Sequence, residues 1–160
     1  MLISWNWLQE YVTLPEGTGV EEAAETLTMT GCEVEDISYP CSLLNGVLTA
    51  EIEDIKPHPA EDNLQVVDII TPSEHSVCIT AAQNLSIGDI VPYAPPGAAI
   101  ADGTILTEKD FSGVKSQGMM LSADEIGLPD VADEFGILRL PANTPLGVDF
   151  KSNFGLNDIL

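Results

Sequence analysis

The chain has 160 residues, is 44% hydrophobic, and carries 26 acidic against 5 basic residues for a formal charge of -21. That length admits one domain or two small ones, and the apolar share supports a buried core, so the acidity does not mark a disordered tail. It does exclude a simple basic nucleic-acid platform. Lys56, Lys109, Lys115, Arg139 and Lys151 are scattered, whereas affinity for phosphate backbones draws on clustered Lys and Arg and on counterion release.

The opening reads as helical. Ser4 can cap a short helix that places Trp5, Leu8 and Tyr11 or Val12 on one face, a face that Trp7 does not share. Pro15 and Gly17 break it. A second helix is expected over 21–30, with Glu21 and Glu22 favourably placed in its first turn and Val20, Ala24 and Leu27 on its apolar side. Gly31 suits a left-handed stop. Residues 32–39 alternate and are expected to form a strand. A helix–helix–strand unit this small has a limited core and needs a partner surface for stability.

After Pro40 the rhythm is that of strands. Val47, Thr49, Glu51, Glu53 and Ile55 lie on one side of a long strand, and Leu48, Ala50, Ile52 and Asp54 on the other, a pattern that fits a curved barrel strand. Residues 56–63 are a turn-rich connection. Further strands are expected over 64–70, with Leu64 in the core, then 76–81 and 89–94, with short ones at 104–107 and 136–140. Ser122 and Glu125 have capping-box spacing, and Gly127 ends that brief helix. No stretch within 46–121 is long enough for a βαβ crossover, so a small barrel is favoured over a layered α/β domain. The apolar end, Ile159-Leu160, suggests a chain cut inside a larger fold.

Catalytic and metal signatures are weak. There are 2 histidines, neither near a nucleophile elbow, and His75 and Cys78 tend to opposite faces of a strand. Gly113 and Gly118 lack the Gly-Lys-Ser/Thr ending of a phosphate-binding loop and are read as shape-determining. The three cysteines, Cys32, Cys41 and Cys78, leave one unpaired in any single-disulfide scheme. With neither a signal-peptide pattern nor a run of 18 apolar residues, the expected setting is reducing and cytoplasmic. Tyr93, Phe111 and Phe135 are the barrel region's aromatics, too few for an evident stacking platform.

Three blocks carry a family resemblance. They are Met1-Leu-Ile-Ser-Trp-Asn-Trp-Leu-Gln-Glu-Tyr-Val with Leu27-Thr-Met-Thr-Gly-Cys-Glu-Val-Glu, then 51–64 centred on Pro57-His58-Pro59 and Asp62, then Gly113-Val-Lys-Ser-Gln-Gly-Met-Met-Leu-Ser continuing into 123–128. In order and spacing they resemble the amino-terminal region of the bacterial phenylalanyl-tRNA synthetase beta subunit. The resemblance implies a mainly β chain: an oligonucleotide-fold (OB-fold) barrel at 40–149 inserted into a small α+β unit. Residues 1–39 would be the first half of that unit and 150–160 the start of its second, incomplete here.

The same resemblance implies a non-catalytic tRNA-binding-type region that helps position tRNA(Phe) for aminoacylation. Partners would be the alpha subunit, which holds the active site, and the remainder of the beta subunit, with no membrane. ATP and Mg2+ would serve the whole enzyme, and no cofactor this fragment. The family's Asn-Ala-Asp-Lys-Leu stretch is Ala60-Glu61-Asp62-Asn63-Leu64 here, and its Cys-Gly-Ala-x-Asn stretch is Thr80-Ala81-Ala82-Gln83-Asn84; shape is kept better than charge.

Candidate tRNA contacts are Lys56, His58, Asp62, Asn84, Lys109, Lys115, Ser116 and Gln117. Lysines can meet phosphates, and the neutral groups can donate or accept hydrogen bonds. Structural roles compete at several of them. His58 and Asp62 would stabilise the turn set by the two prolines, Asn84 would close a local turn, and Ser116 and Gln117 would bond local backbone. The acidic residues around Lys56 support an alternative, a structural or protein-interaction module that retains the barrel with little RNA binding of its own.

Overall fold

The computed structural model describes residues 3–39, 41–128, 136–156, 158 and 159. The chain divides into two compact units, Met1–Pro40 with Gly155–Leu160, and Cys41–Phe154.

In the first unit, α1 (Trp5–Tyr11) starts where the Ser4 hydroxyl accepts the Trp7 N–H at 2.9 Å. Trp5 N–H donates to the Ile159 carbonyl at 2.9 Å and Asn6 N–H to Asp158 Oδ1 at 2.9 Å, which ties residues 158 and 159 to this helix. Helix α2 (Val20–Met29) has the expected acidic first turn and is followed by Gly31 at φ +100°. Among the described residues of this unit Ala23 is the buried hydrophobic one, while Trp7 and Tyr11 stay exposed with their rings 4.9 Å apart.

The strand expected over 32–39 does not form. Alternation makes a strand only when a neighbouring ladder satisfies the backbone, and the described residues here offer helices alone. Side chains of α2 hold the segment instead, one at a backbone group and one at a side chain. Val34 N–H donates to Thr28 Oγ1 at 3.1 Å, and the Tyr39 hydroxyl to Glu21 Oε1 at 2.8 Å.

The second unit is built on β1 (Leu48–Pro57), β2 (Gln65–Ile70), β3 (His75–Thr80), β4 (Ile90–Ala94) and β7 (Met119–Met120), in the antiparallel order β3-β2-β1-β4-β7. A register shift between Ile52 and Asp54 bends β1, so its first half pairs with β4 and its second with β2. Ala50, Ile52, Val67, Ile69, Cys78, Val91, Tyr93, Met120 and Ile137 fill the interior. The unit is thus a nearly closed five-stranded barrel of OB type carrying short helices.

The long strand and the three that follow it, β1 to β4, appear within a residue or two of their expected bounds. The short ones at 104–107 and 136–140 reduce to single bridges, Ala99↔Ile105 and Ile90↔Leu140. Leu64 is half-buried rather than core: it precedes β2, and its carbonyl accepts the His58 N–H at 3.0 Å to shape the connecting loop. A hairpin that strand patterning overlooks, β5 (Lys109–Phe111) and β6 (Val114–Ser116), projects ahead of β7. The capping box forms as expected on α3 (Ala123–Ile126), ending at Gly127 with φ +90°. Helix α4 (Phe150–Asn153) is capped by Asp149 and buries Phe150.

Candidate nucleic-acid interface

Strand β3 would be an open edge, and the 116–118 segment closes it. Ser116 is 4% exposed; its Oγ accepts the Ile79 N–H at 3.0 Å and donates to the Gly118 carbonyl at 2.9 Å. Gln117 N–H donates to the Val77 carbonyl at 2.7 Å, and Val77 N–H to Gln117 Oε1 at 3.2 Å. From the core, the Tyr93 hydroxyl donates to the Gln117 carbonyl at 2.6 Å. Burial pushes the Tyr93 phenol up to about 12, keeping it a donor. Pairing an exposed edge in this way removes a site for strand addition. Ser116 and the carboxamide oxygen of Gln117 are therefore engaged by the barrel, although Gln117 stays exposed.

The 57–64 loop and the hairpin meet at the barrel's side. His58 is 5% exposed between two exposed prolines. Its Nδ1 lies 3.2 Å from the Ala60 N–H, which can only donate, so Nδ1 accepts and the neutral ring carries its proton on Nε2. Nε2–H then donates to the Phe111 carbonyl at 3.0 Å. Beside it, the Ser112 hydroxyl donates to Glu61 Oε1 at 2.7 Å. Ser112 and Gly113 have φ of +48° and +93°, the two positive values that a two-residue primed hairpin turn requires. The Gly113 N–H is held by Asp110 Oδ1 at 2.9 Å. Asp62 is exposed on the loop.

The lysines differ in availability. Lys56 Nζ sits 2.8 Å from Asp54 and 2.9 Å from Asp68, residues that face each other across β1 and β2. Hydrogen bonds to Asp54 and then Asp68 push its ammonium well up, and that to Lys56 holds the Asp54 carboxyl below its ordinary range. Lys109 and Lys115 are exposed, and neither makes an ion pair among the described residues. Their register, Lys109↔Ser116 and Asp110↔Lys115, puts them on opposite faces of the hairpin. Lys109 shares the face of Phe111, Val114 and Ser116, and Lys115 that of Asp110.

Asn84 does something other than close a local turn. Its Nδ2 donates to the Ile137 carbonyl at 2.9 Å and its Oδ1 accepts the Ile137 N–H at 3.2 Å, a bracket spanning 53 residues. Gly136 lies directly against that amide, with no room for a Cβ. The fold thus joins His58 to the hairpin that carries Lys109 and Lys115, sets Ser116 and Gln117 against β3, leaves Asp62 exposed on the loop and Lys56 in its own ion-pair triad, and gives Asn84 to the Ile137 bracket. The Glu61–Ser112 contact has no sequence signal of its own. The hairpin does have one, a two-residue Ser-Gly step between Phe111 and Val114.

Tyr93 is buried and Phe111 half-buried; Phe135 lies outside the described residues. The three cysteines are free, and burial pushes the Cys78 thiol up to about 12, which suits a packing role. Among the described residues no group of three or more His, Cys, Asp or Glu is placed to hold a metal ion. No described helix is long and apolar enough to cross a membrane.

An antiparallel barrel of this strand order, with two loops joined at its side, defines an oligonucleotide-fold domain. Residues 47–149 match the family described as "Putative tRNA binding domain", and the chain belongs to that family. It is also similar, end to end, to phenylalanine–tRNA ligase beta subunits. Identity is 37% over 161 residues with that of Anaeromyxobacter dehalogenans, covering 100% of this chain and 20% of the relative. It is 34% over 158 residues with that of Thermotoga maritima (99% and 20%). For Leptospira biflexa it is 33% over 160 residues (100% and 20%). The chain thus spans about a fifth of the length of these curated relatives. A crystal structure of a MetRS related protein from Pyrococcus horikoshii aligns at TM-score 0.44 and 16% identity over 63% of this chain and 84% of that one.

Proposed function

We propose that this chain is the non-catalytic, tRNA-contacting amino-terminal region of a phenylalanine–tRNA ligase beta subunit, holding tRNA(Phe) while aminoacylation proceeds elsewhere. The observation that carries the reading is the end-to-end similarity to beta subunits, with the tRNA-binding family match lying on the barrel. The same reading takes 40–149 as a barrel inserted between 1–39 and 150–160, two parts of one α+β unit. Its partners are the alpha subunit and the rest of the beta subunit in the cytoplasm; ATP and Mg2+ act at the catalytic site of the whole enzyme. On this chain RNA meets Lys115 and Lys109 by charge, and Asp62 and Gln117 by hydrogen bonding.

A second reading, a structural or protein-interaction module, has its own observation. Glu108 and Asp110 flank Lys109 in the chain, Asp110 faces Lys115 across the hairpin and Glu61 bonds the hairpin turn at Ser112, and His58, Ser116 and Asn84 bond within the barrel. Deleting 41–154 from the intact ligase separates the two. The tRNA-contacting reading expects a raised KM for tRNA in an enzyme whose subunits still assemble. An unchanged KM in an enzyme that assembles poorly would favour the module.

A further inference from the structure

Each strand of the 109–116 hairpin is three residues long, too short for a two-stranded ribbon to hold its own position in water. Its placement therefore depends on what anchors it. On β6 the anchor is Ser116, bonded to Ile79 of β3. On β5 it is the Phe111 carbonyl, held by the buried His58 ring. The Ser112–Glu61 bond supplements the second anchor from the exposed side. Asp110, the residue across from Lys115, turns its carboxylate to the Gly113 N–H, and Lys115 makes no ion pair among the described residues.

We propose that His58 is a positioning residue for RNA: its buried ring pins the hairpin to the 57–64 loop and so fixes where the Lys115 ammonium meets an RNA phosphate. The inference rests on the tRNA-contacting reading above. It assigns the histidine no contact with RNA. Both ring nitrogens face protein, one toward the Phe111 carbonyl and the other toward the Ala60 N–H. The ring acts by holding still a lysine that would otherwise lose conformational freedom on meeting phosphate.

Two substitutions split the ring's functions. In His58→Gln the side-chain amide nitrogen can take the place of Nε2 and donate to Phe111. In His58→Asn the amide oxygen can replace Nδ1 and accept from Ala60, but the Phe111 carbonyl loses its donor. Tested in the full ligase, His58→Asn is expected to weaken tRNA binding about 3- to 10-fold, the scale of one hydrogen bond. It should also speed amide hydrogen exchange across 111–115, while His58→Gln stays near the parent in both. Lys115→Ala should cost less affinity in the His58→Asn background than in the parent. Ser112→Ala, which leaves the core untouched, should move both readouts the same way by a smaller factor.

Equal behaviour of the Gln and Asn variants, or Lys115 and His58 effects that simply multiply, would overturn the proposal. Should Lys115→Ala leave tRNA binding unchanged in the parent, the RNA contact itself fails. Exchange in the Asn variant would then still report whether the hairpin is pinned.

Discussion

At Gly118 the backbone passes at φ +107°, where a Cβ would lie 2.8 Å from Tyr93 Cε2 and 3.1 Å from Pro95 Cα. At Gly113 φ is +93°, but the surroundings are open. The motif's two glycines thus ask for different things, backbone freedom at Gly113 and both freedom and space at Gly118. Gly118→Ala is expected to cost about 2–4 kcal/mol, strain plus overpacking, and Gly113→Ala about 1–2 kcal/mol, strain alone. Urea denaturation of the two variants checks this, and equal losses would contradict it. The need for glycine was legible from the sequence. The jobs of Ser116 and Asn84 were not, because their partners Ile79 and Ile137 lie 37 and 53 residues away. A polar side chain in a turn-rich motif looks the same whether it awaits RNA or closes a barrel.

Among the elements, β1 and β2 show how the fold manages its own charge. Asp54 and Asp68 are cross-strand neighbours, and like charges placed so destabilise a sheet. Lys56 bridges them. The Asp54 carboxyl is held below its ordinary range chiefly by its hydrogen bond to Lys56. A depressed carboxyl contributes stability above its unfolded value, roughly pH 4, and loses it as pH falls through the lowered folded value. Lys56→Met should therefore lower the urea midpoint at pH 7, and the gap from the parent should close in acid and shrink with added salt. A gap that persists unchanged below pH 3 would contradict the triad. Strands β1 to β4 were legible because alternation or short apolar runs between turn residues mark them. The 32–39 strand was misread because alternation is silent about whether a partner edge exists. Hairpin β5–β6 was passed over because its strands are too short to show a period.

Across the whole molecule the acidic excess limits how RNA can be held. With a formal charge of -21 and Lys56 engaged by two aspartates, the junction offers Lys109 and Lys115 on opposite faces of one hairpin. On the proposed tRNA-contacting reading, shape and hydrogen bonding then carry more of the recognition than counterion release. Family and barrel were legible from three local blocks because they depend on turn chemistry and patterning. Which polar groups remain free for a ligand depends on long-range contacts, and that came only with the fold. The most direct test of the tRNA-contacting reading is the salt dependence of tRNA binding to the intact ligase, parent against Lys115→Ala. The variant is expected to bind more weakly at low salt, with its log–log salt slope shallower by about 0.7–1, the share of one phosphate contact. Identical affinity and identical slope in the two proteins would contradict it.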